Sequence, residues 1–348
     1  MSAKNRNSNL ELLRILSMYM IVFIHANMFL PYFCSGELGR FFNGFVNGIC
    51  NIGVTCFILI SGYFGMQFKV SKLVKMECMM ITYSLLELVV VYVMMPEQLQ
   101  GAALLEAVVK ACFPFITRKY WFYSCYVCVY LFSGFMQKWM DTLEKQEFKR
   151  MLGWMLLIFS VFPTVCYFEI MQDNGKGLIQ MLMVYLIGRY IRLHVDVAIS
   201  KWKCIAGIIV LWTLNGLSHE IPLRVGHIYH HLCKDNSITN IVMAILVFYI
   251  FKELKVKSGL INRAATCLFA VFALNNTLVS LVMDERIRGY LPVPDGGGGF
   301  LLLAGVVFAI LVVCIAVGAL REVLLGRADR WLGNKIQEII SRKAKSIG

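Results

Sequence analysis

Residues Leu10–Ala26 read LELLRILSMYMIVFIHA, and the fold turns on how that stretch is read. Most of it suits a lipid bilayer, yet it carries Glu11, Arg14 and His25. An arginine at the centre of a membrane helix costs about 2.5–3.5 kcal/mol on insertion scales, so such groups persist where they face a bundle interior or a wet cavity. Arg14 and His25 stand eleven residues apart, close to three turns at 3.6 residues per turn. Both side chains therefore project from one helix face, roughly 16 Å apart along the axis. Glu11, three residues before Arg14, can hold the guanidinium. The helix then offers an anion receptor near one end and an acid/base group deep in the membrane, aimed into a shared protein-lined passage. Each residue also has a plainer reading. Arg14 could snorkel to headgroups, and His25 could be a packing residue.

The rest of the chain fits a membrane setting. Of its 348 residues 59% are hydrophobic and 16% charged, where a soluble domain carries about 25% charged residues. Ten apolar runs approach the ~20 residues needed to cross hydrocarbon: 10–33, 43–66, 76–95, 118–139, 151–171, 177–194, 202–218, 237–252, 264–283 and 299–325. Segment 101–113 has helical spacing and a Glu106–Lys110 pair, and is expected to lie along the interface. The first run is too long for a cleavable signal peptide and lacks a small-residue cleavage site. With ten spans and a cytoplasmic N-terminus, 24 of the 34 Lys and Arg residues fall inside and nine outside, as the positive-inside rule requires. The expected fold is an all-α polytopic bundle of about ten transmembrane helices with both termini cytoplasmic. One domain covers 1–348 and ends in a basic tail from about 326.

Several functions are disfavoured. The net charge of +13 orients the protein, and nucleic acid is not an expected partner. Twelve cysteines are scattered singly apart from Cys125 and Cys128, so they read as small packing residues. His219, His227, His230 and His231 invite a zinc site, but the run HIYHH has no acid at matching spacing and no metal is expected. The DGGGG run from Asp295 lacks the Lys-Ser/Thr of a phosphate loop and reads as a turn.

Three stretches resemble the integral-membrane acyltransferase 3 family. Arg14-x10-His25 is similar to its opening motif, an Arg or Lys followed by His in the first span. NIGVTCFILISGYFGMQFKVSKLVK, residues 51–75, resembles its second segment, with Ser61-Gly62-Tyr63 and a basic loop. YWFYSCYVCVYL, residues 120–131, resembles its Trp-Phe span. The chain departs from the pattern twice. Lys69-Val-Ser-Lys72 stands where relatives often have Arg-x-x-Arg, giving point charges without bidentate geometry. Asn275 stands where many relatives have a histidine, so no second histidine role carries over.

The resemblance implies an O-acyltransferase that takes an acyl group, acetyl first of all, from cytoplasmic acyl-CoA. The acceptor would be a hydroxyl of a cell-envelope saccharide, free or lipid-linked. His25 would be the general base, with Arg14 the second catalytic residue three turns away and Glu11 in support. Lys69, Lys72, Lys75, Ser61 and Tyr63 would receive the donor, and Tyr120, Trp121 and Tyr123 could stack on the acceptor's sugar rings. Trp121 and its neighbours also read as interfacial aromatics, and Ser61-Gly62 as helix packing. Acetyl-CoA would be a co-substrate with no bound cofactor, and the location a bacterial cytoplasmic membrane. Two rivals remain, a glycan or lipid carrier and a polysaccharide polymerase. Glu77, Glu87, Glu169 and Arg189 could form a carrier's path, although the internal repeats common in carriers are missing.

Overall fold

The computed structural model describes residues 6–166, 169–225, 231–293 and 297–347, without the side chains of 220–225, 231, 286 and 344–347. Among the described residues there are helices and no strands. In lipid the backbone must satisfy its own hydrogen bonds, and a helix does so within one segment. Thirteen helices carry the argument: α1 (Ser8–Asn27), α2 (Gly36–Cys50), α3 (Ile52–Phe64), α4 (Val70–Met94), α5 (Ala102–Cys112), α6 (Trp121–Thr142), α7 (Lys145–Leu156), α8 (Leu178–His194), α9 (Lys201–Val225), α10 (Ile238–Glu253), α11 (Gly259–Ala265), α12 (Leu268–Met283) and α13 (Gly297–Ile347).

Among the described residues each of the ten apolar runs is mostly helical. Among the described residues five helical stretches are long and apolar enough to cross a membrane, Ser8–Asn27, Gly36–Phe64, Val70–Met94, Lys145–Val165 and Gly297–Lys343, and a sixth joins them if α11 and α12, bent by 60°, count as one span. Two of the others are short, α8 with 17 residues and α10 with 16. The expected interfacial helix is α5, with Lys110 2.6 Å from Glu106. The segment after α7 begins as a π turn, Leu157–Val161, just ahead of Pro163. Proline lacks an N–H and crowds the carbonyl four residues back, so a wider turn there relieves the clash.

The basic tail expected from about residue 326 is helical, because α13 continues to Ile347 as one helix of 51 residues. Its far half is docked on α4. Gln337 Oε1 accepts from the Ser71 backbone N–H at 3.2 Å. A Cβ on Gly333 would stand 2.6 Å from the Ser71 carbonyl oxygen, so the backbones nearly touch. Arg321 and Asp329, both buried, pair within the same helix, and Thr82 accepts from Arg321 at 3.2 Å.

Glycine sets the tightest crossings. A Cβ on Gly62 of α3 would lie 2.1 Å from the Tyr185 carbonyl oxygen of α8, and one on Gly188 would lie 2.3 Å from the Leu59 carbonyl oxygen. Small residues let backbones approach in this way where lipid offers no hydrophobic drive to association. Gly53 brings α3 close to α1 as well, a Cβ there lying 2.8 Å from the Ser17 carbonyl oxygen. The start of α1 is tied to the strand-like link after α10: Asn9 Nδ2 donates to the Leu254 carbonyl, Val256 N–H donates to Asn9 Oδ1 at 2.8 Å, and Ser258 N–H donates to Ser8 Oγ at 3.1 Å. Arg14, the Lys69 loop and the ends of α8 and α10 therefore gather at one end of the bundle, and His25 lies toward the other.

Candidate active site

At the first end, Glu11 is 4% exposed and accepts from Arg14 Nη1 at 2.9 Å, with Arg6 3.5 Å from the same oxygen. The three-residue spacing read in the sequence thus produces the expected contact. Two guanidiniums against one carboxylate leave this corner positive. The Arg14 guanidinium also lies 5.9 Å from the ring centres of Phe57 and Phe64, a favourable placement for a cation.

Tyr63 and Ser61 have partners already. Arg192 Nη1 donates to the Tyr63 hydroxyl at 3.2 Å, and Ser61 Oγ donates to the Phe57 carbonyl at 3.0 Å. Gly62 between them is a packing residue by the contact with Tyr185. Around Tyr63 opens a cavity of about 340 Å³ whose polar lining includes Arg192, His194, Asp196 and Lys252. Sequence reading missed Arg192 and Lys252 as site residues because both looked like ordinary cytoplasmic flanking charges.

The loop after α3 is pinned. Gly65 has φ +74°, a conformation that favours glycine. Met66 N–H donates to the Tyr185 hydroxyl at 3.1 Å, Gln137 Nε2 donates to the Met66 carbonyl at 3.0 Å, and Lys69 N–H donates to the Tyr130 hydroxyl at 3.0 Å. Lys69 and Lys72 are exposed on this held backbone. Lys75 is engaged elsewhere, with both Glu322 carboxylate oxygens 2.9 Å from its Nζ.

Toward the other end, His25 meets Asn275. Asn275 is 2% exposed, and its Nδ2 donates to the Val271 and Phe272 carbonyls at 2.9 and 2.7 Å. Both amide hydrogens are thereby spent on α12, and Oδ1 is left 2.5 Å from His25 Nδ1. A carbonyl oxygen can only accept, so the ring donates from Nδ1. In the neutral imidazole the lone pair then sits on Nε2. The residue that sequence reading treated as a missing histidine is the partner of the histidine present. A buried asparagine in an apolar span was the signal available, since a polar amide there needs partners.

Aromatic rings occupy the interval between Arg14 and His25, where the sequence had suggested an open passage. Phe57 touches Phe122 edge-on with centres 5.8 Å apart, Phe122 lies 5.1 Å from Phe272, and Phe272 is the residue whose carbonyl holds Asn275. The column runs from the guanidinium to the imidazole.

Beyond His25 the molecule is rich in amides. Asn27 and Asn47 both donate to Asn43 Oδ1, at 3.0 and 2.7 Å. Next to them is a cleft of about 230 Å³ lined by Asn47, Asn51, Asn174, Lys176, His219, Cys233, Lys234 and Asp235. Trp121 lines a smaller space on the other side of Asp235. Tyr120 is turned away from both: its hydroxyl donates to Glu87, which also pairs with Lys119 at 3.0 Å and accepts from Thr277 at 2.8 Å. Tyr123 donates to Glu77 at 2.5 Å, and Glu169 is paired with Lys234 and Asn236. These acids are held by separate partners and do not line one path. Among the described residues no three His, Cys, Asp or Glu side chains converge on a metal position. His227, His230 and the first residues of the DGGGG run lie outside the described residues, as does the His231 side chain.

A family model described as an acyltransferase domain matches residues 7–319. No curated protein and no solved structure matches the chain.

Proposed function

Because the chain belongs to the acyltransferase 3 family, we propose that it moves an acyl group, acetyl first of all, from cytoplasmic acyl-CoA to a hydroxyl of a cell-envelope saccharide. The observation that carries this reading is the His25–Asn275 pair, which leaves Nε2 as a base with its lone pair free for a proton.

The donor enters at the Arg14 end, which the charge distribution assigns to the cytoplasm. Its phosphates meet Lys69, Lys72, Arg192 and Lys252, and Arg14 guards the way inward. The pantetheine arm follows the rings of Phe57, Phe122 and Phe272, which must part to admit it. In the reaction, His25 Nε2 takes the proton of the acceptor hydroxyl as the oxygen attacks the thioester carbonyl. The C–S bond breaks, and the imidazolium returns the proton to the departing thiolate. The products are an O-acyl saccharide and free CoA, with His25 neutral again. Asn275 does no chemistry; it keeps the ring in the tautomer that serves.

A carrier would need acids along one route, and Glu77, Glu87 and Glu169 are each committed to a partner of their own. The test is transfer of labelled acetyl from acetyl-CoA to envelope saccharide by the purified protein in detergent. His25→Ala is expected to remove about 10²–10⁴ of the rate. A folded variant with wild-type turnover would overturn the reading.

A further inference from the structure

The cleft beyond His25 contains a group that nothing so far explains. Asp235 is 8% exposed, lines the cleft, and accepts no hydrogen bond at its carboxyl from any described side chain. Its backbone is fixed, since Gln180 Nε2 donates to the Asp235 carbonyl at 2.9 Å and the cap of α10 begins two residues later at Ser237. Neither carboxyl oxygen is sealed off, so the group meets solvent or a ligand through the cleft alone. Burial pushes its pKa up to about 7, against the lowering by Lys176 and with Asp173 adding to the rise. Such a group is short of hydrogen-bond donors.

The other walls of the cleft are amides and amines together with the His219 imidazole and the Cys233 thiol, and several are held in place. Asn47 is held by Asn43, Asn51 Nδ2 donates to the Cys233 carbonyl, and Lys234 is paired with Glu169 at 3.4 Å. Asn27, two residues beyond His25 on α1, and Asn47, which lines the cleft, both donate to Asn43 Oδ1, and this shared amide sets the cleft against the end of α1 that carries His25. A ligand that suits this lining offers several hydroxyls, each able to donate and accept, within a volume of about 230 Å³.

We propose that this cleft is the acceptor subsite, and that Asp235 receives a hydrogen bond from one hydroxyl of a polyhydroxylated saccharide while a neighbouring hydroxyl is presented to His25. The assignment rests on the acyltransferase reading above. It places acceptor recognition on α2, the 169–177 link and the 231–237 link, and none of it on Tyr120.

The experiment uses the full chain in detergent, labelled acetyl-CoA, and envelope saccharide from the source cells stripped of esters with mild alkali. Asp235→Asn keeps the volume and removes the charge, and Asp235→Ala removes the acceptor altogether. If the alanine variant is not monodisperse, the asparagine variant alone decides. The expected result is a rise in the saccharide KM of about 10- to 100-fold, the range for losing a hydrogen bond to a charged group, with the acetyl-CoA KM within twofold of wild type. An unchanged saccharide KM, or an equal rise in the acetyl-CoA KM, overturns the subsite. If His25→Ala abolishes transfer while Asp235→Asn behaves as wild type, the catalytic reading stands and the cleft assignment falls. If the wild type transfers no acetyl to the saccharide, both fall together.

Discussion

Asn275 Oδ1 stands 2.5 Å from His25 Nδ1, with both Asn275 amide hydrogens bonded to the carbonyls of Val271 and Phe272. One helix thereby dictates the proton position on a side chain of another. Relatives that place a histidine at this position would have two titratable rings there, and this chain has one ring and a permanent acceptor.

Replacing Asn275 with Ala should lower kcat by about 10- to 100-fold, in line with the cost of misplacing a reacting group, and leave the acetyl-CoA KM nearly unchanged. Nitrogen-15 spectra of labelled histidine should show His25 protonated at Nδ1 in the wild type and as a tautomer mixture in the variant. A kcat loss with no change in tautomer would make Asn275 a packing residue only.

At the other end, the double change Lys69→Ala and Lys72→Ala should raise the acetyl-CoA KM several-fold, with the saccharide KM unmoved. Arg192→Ala should do the same, because its guanidinium lines the basic cavity beside Tyr63. Lys75→Ala should act differently. Its Glu322 partner is part-exposed and also pairs with Arg330, so the loss should be under about 1 kcal/mol of stability. Steady-state kinetics and thermal midpoints separate these cases.

The α3–α8 crossing should be intolerant of any side chain. A methyl group on Gly62 would sit 2.1 Å from the Tyr185 carbonyl oxygen, a backbone atom that cannot swing aside. Gly62→Ala and Gly188→Ala should each cost about 1–3 kcal/mol or more by overpacking. The measurement is the thermal midpoint in detergent, beside Gly134→Ala, where nothing stands within 4 Å.

Asp235 should leave a mark on stability against pH. Its folded pKa is about 7, against about 3.9 for an unperturbed carboxyl. Between roughly pH 4 and 7 the unfolded chain has released this proton and the folded one has not, so stability falls as pH rises through that window. The contribution is roughly 4 kcal/mol at most. Asp235→Asn should therefore raise the thermal midpoint at pH 8 by more than at pH 5. Equal shifts at both values would show that the carboxyl is not held neutral by burial.

Much of this was legible in the sequence. The ten helical runs follow from hydrophobic length, and the Glu11–Arg14 contact from a three-residue spacing. The eleven-residue spacing of Arg14 and His25 reads as one shared helix face, and both side chains are half-buried. What could not be read was any relation between helices. Asn275 lies 250 positions from His25, and periodicity along one helix says nothing about which face of another it meets. Asp235 looked like a loop acid because only packing reveals that it is 8% exposed and lines a cleft. The ring column was hidden for the same reason: Phe57, Phe122 and Phe272 each looked like ordinary membrane residues. Lys75 shared a motif with Lys69 and Lys72, and only α13 folding back over α4 separates it from them.

The ring column has a consequence for the cell as well as for the chemistry. A protein with polar basins opening at both ends would short-circuit the membrane if water joined them. The edge-on and tilted rings of Phe57, Phe122 and Phe272 offer a water wire no hydrogen-bonding partner between Arg14 and His25, which opposes ion and proton leakage while the protein idles. On the donor route proposed above, the insulation is lifted only as the thioester arm is threaded through, and the arm itself then acts as the stopper.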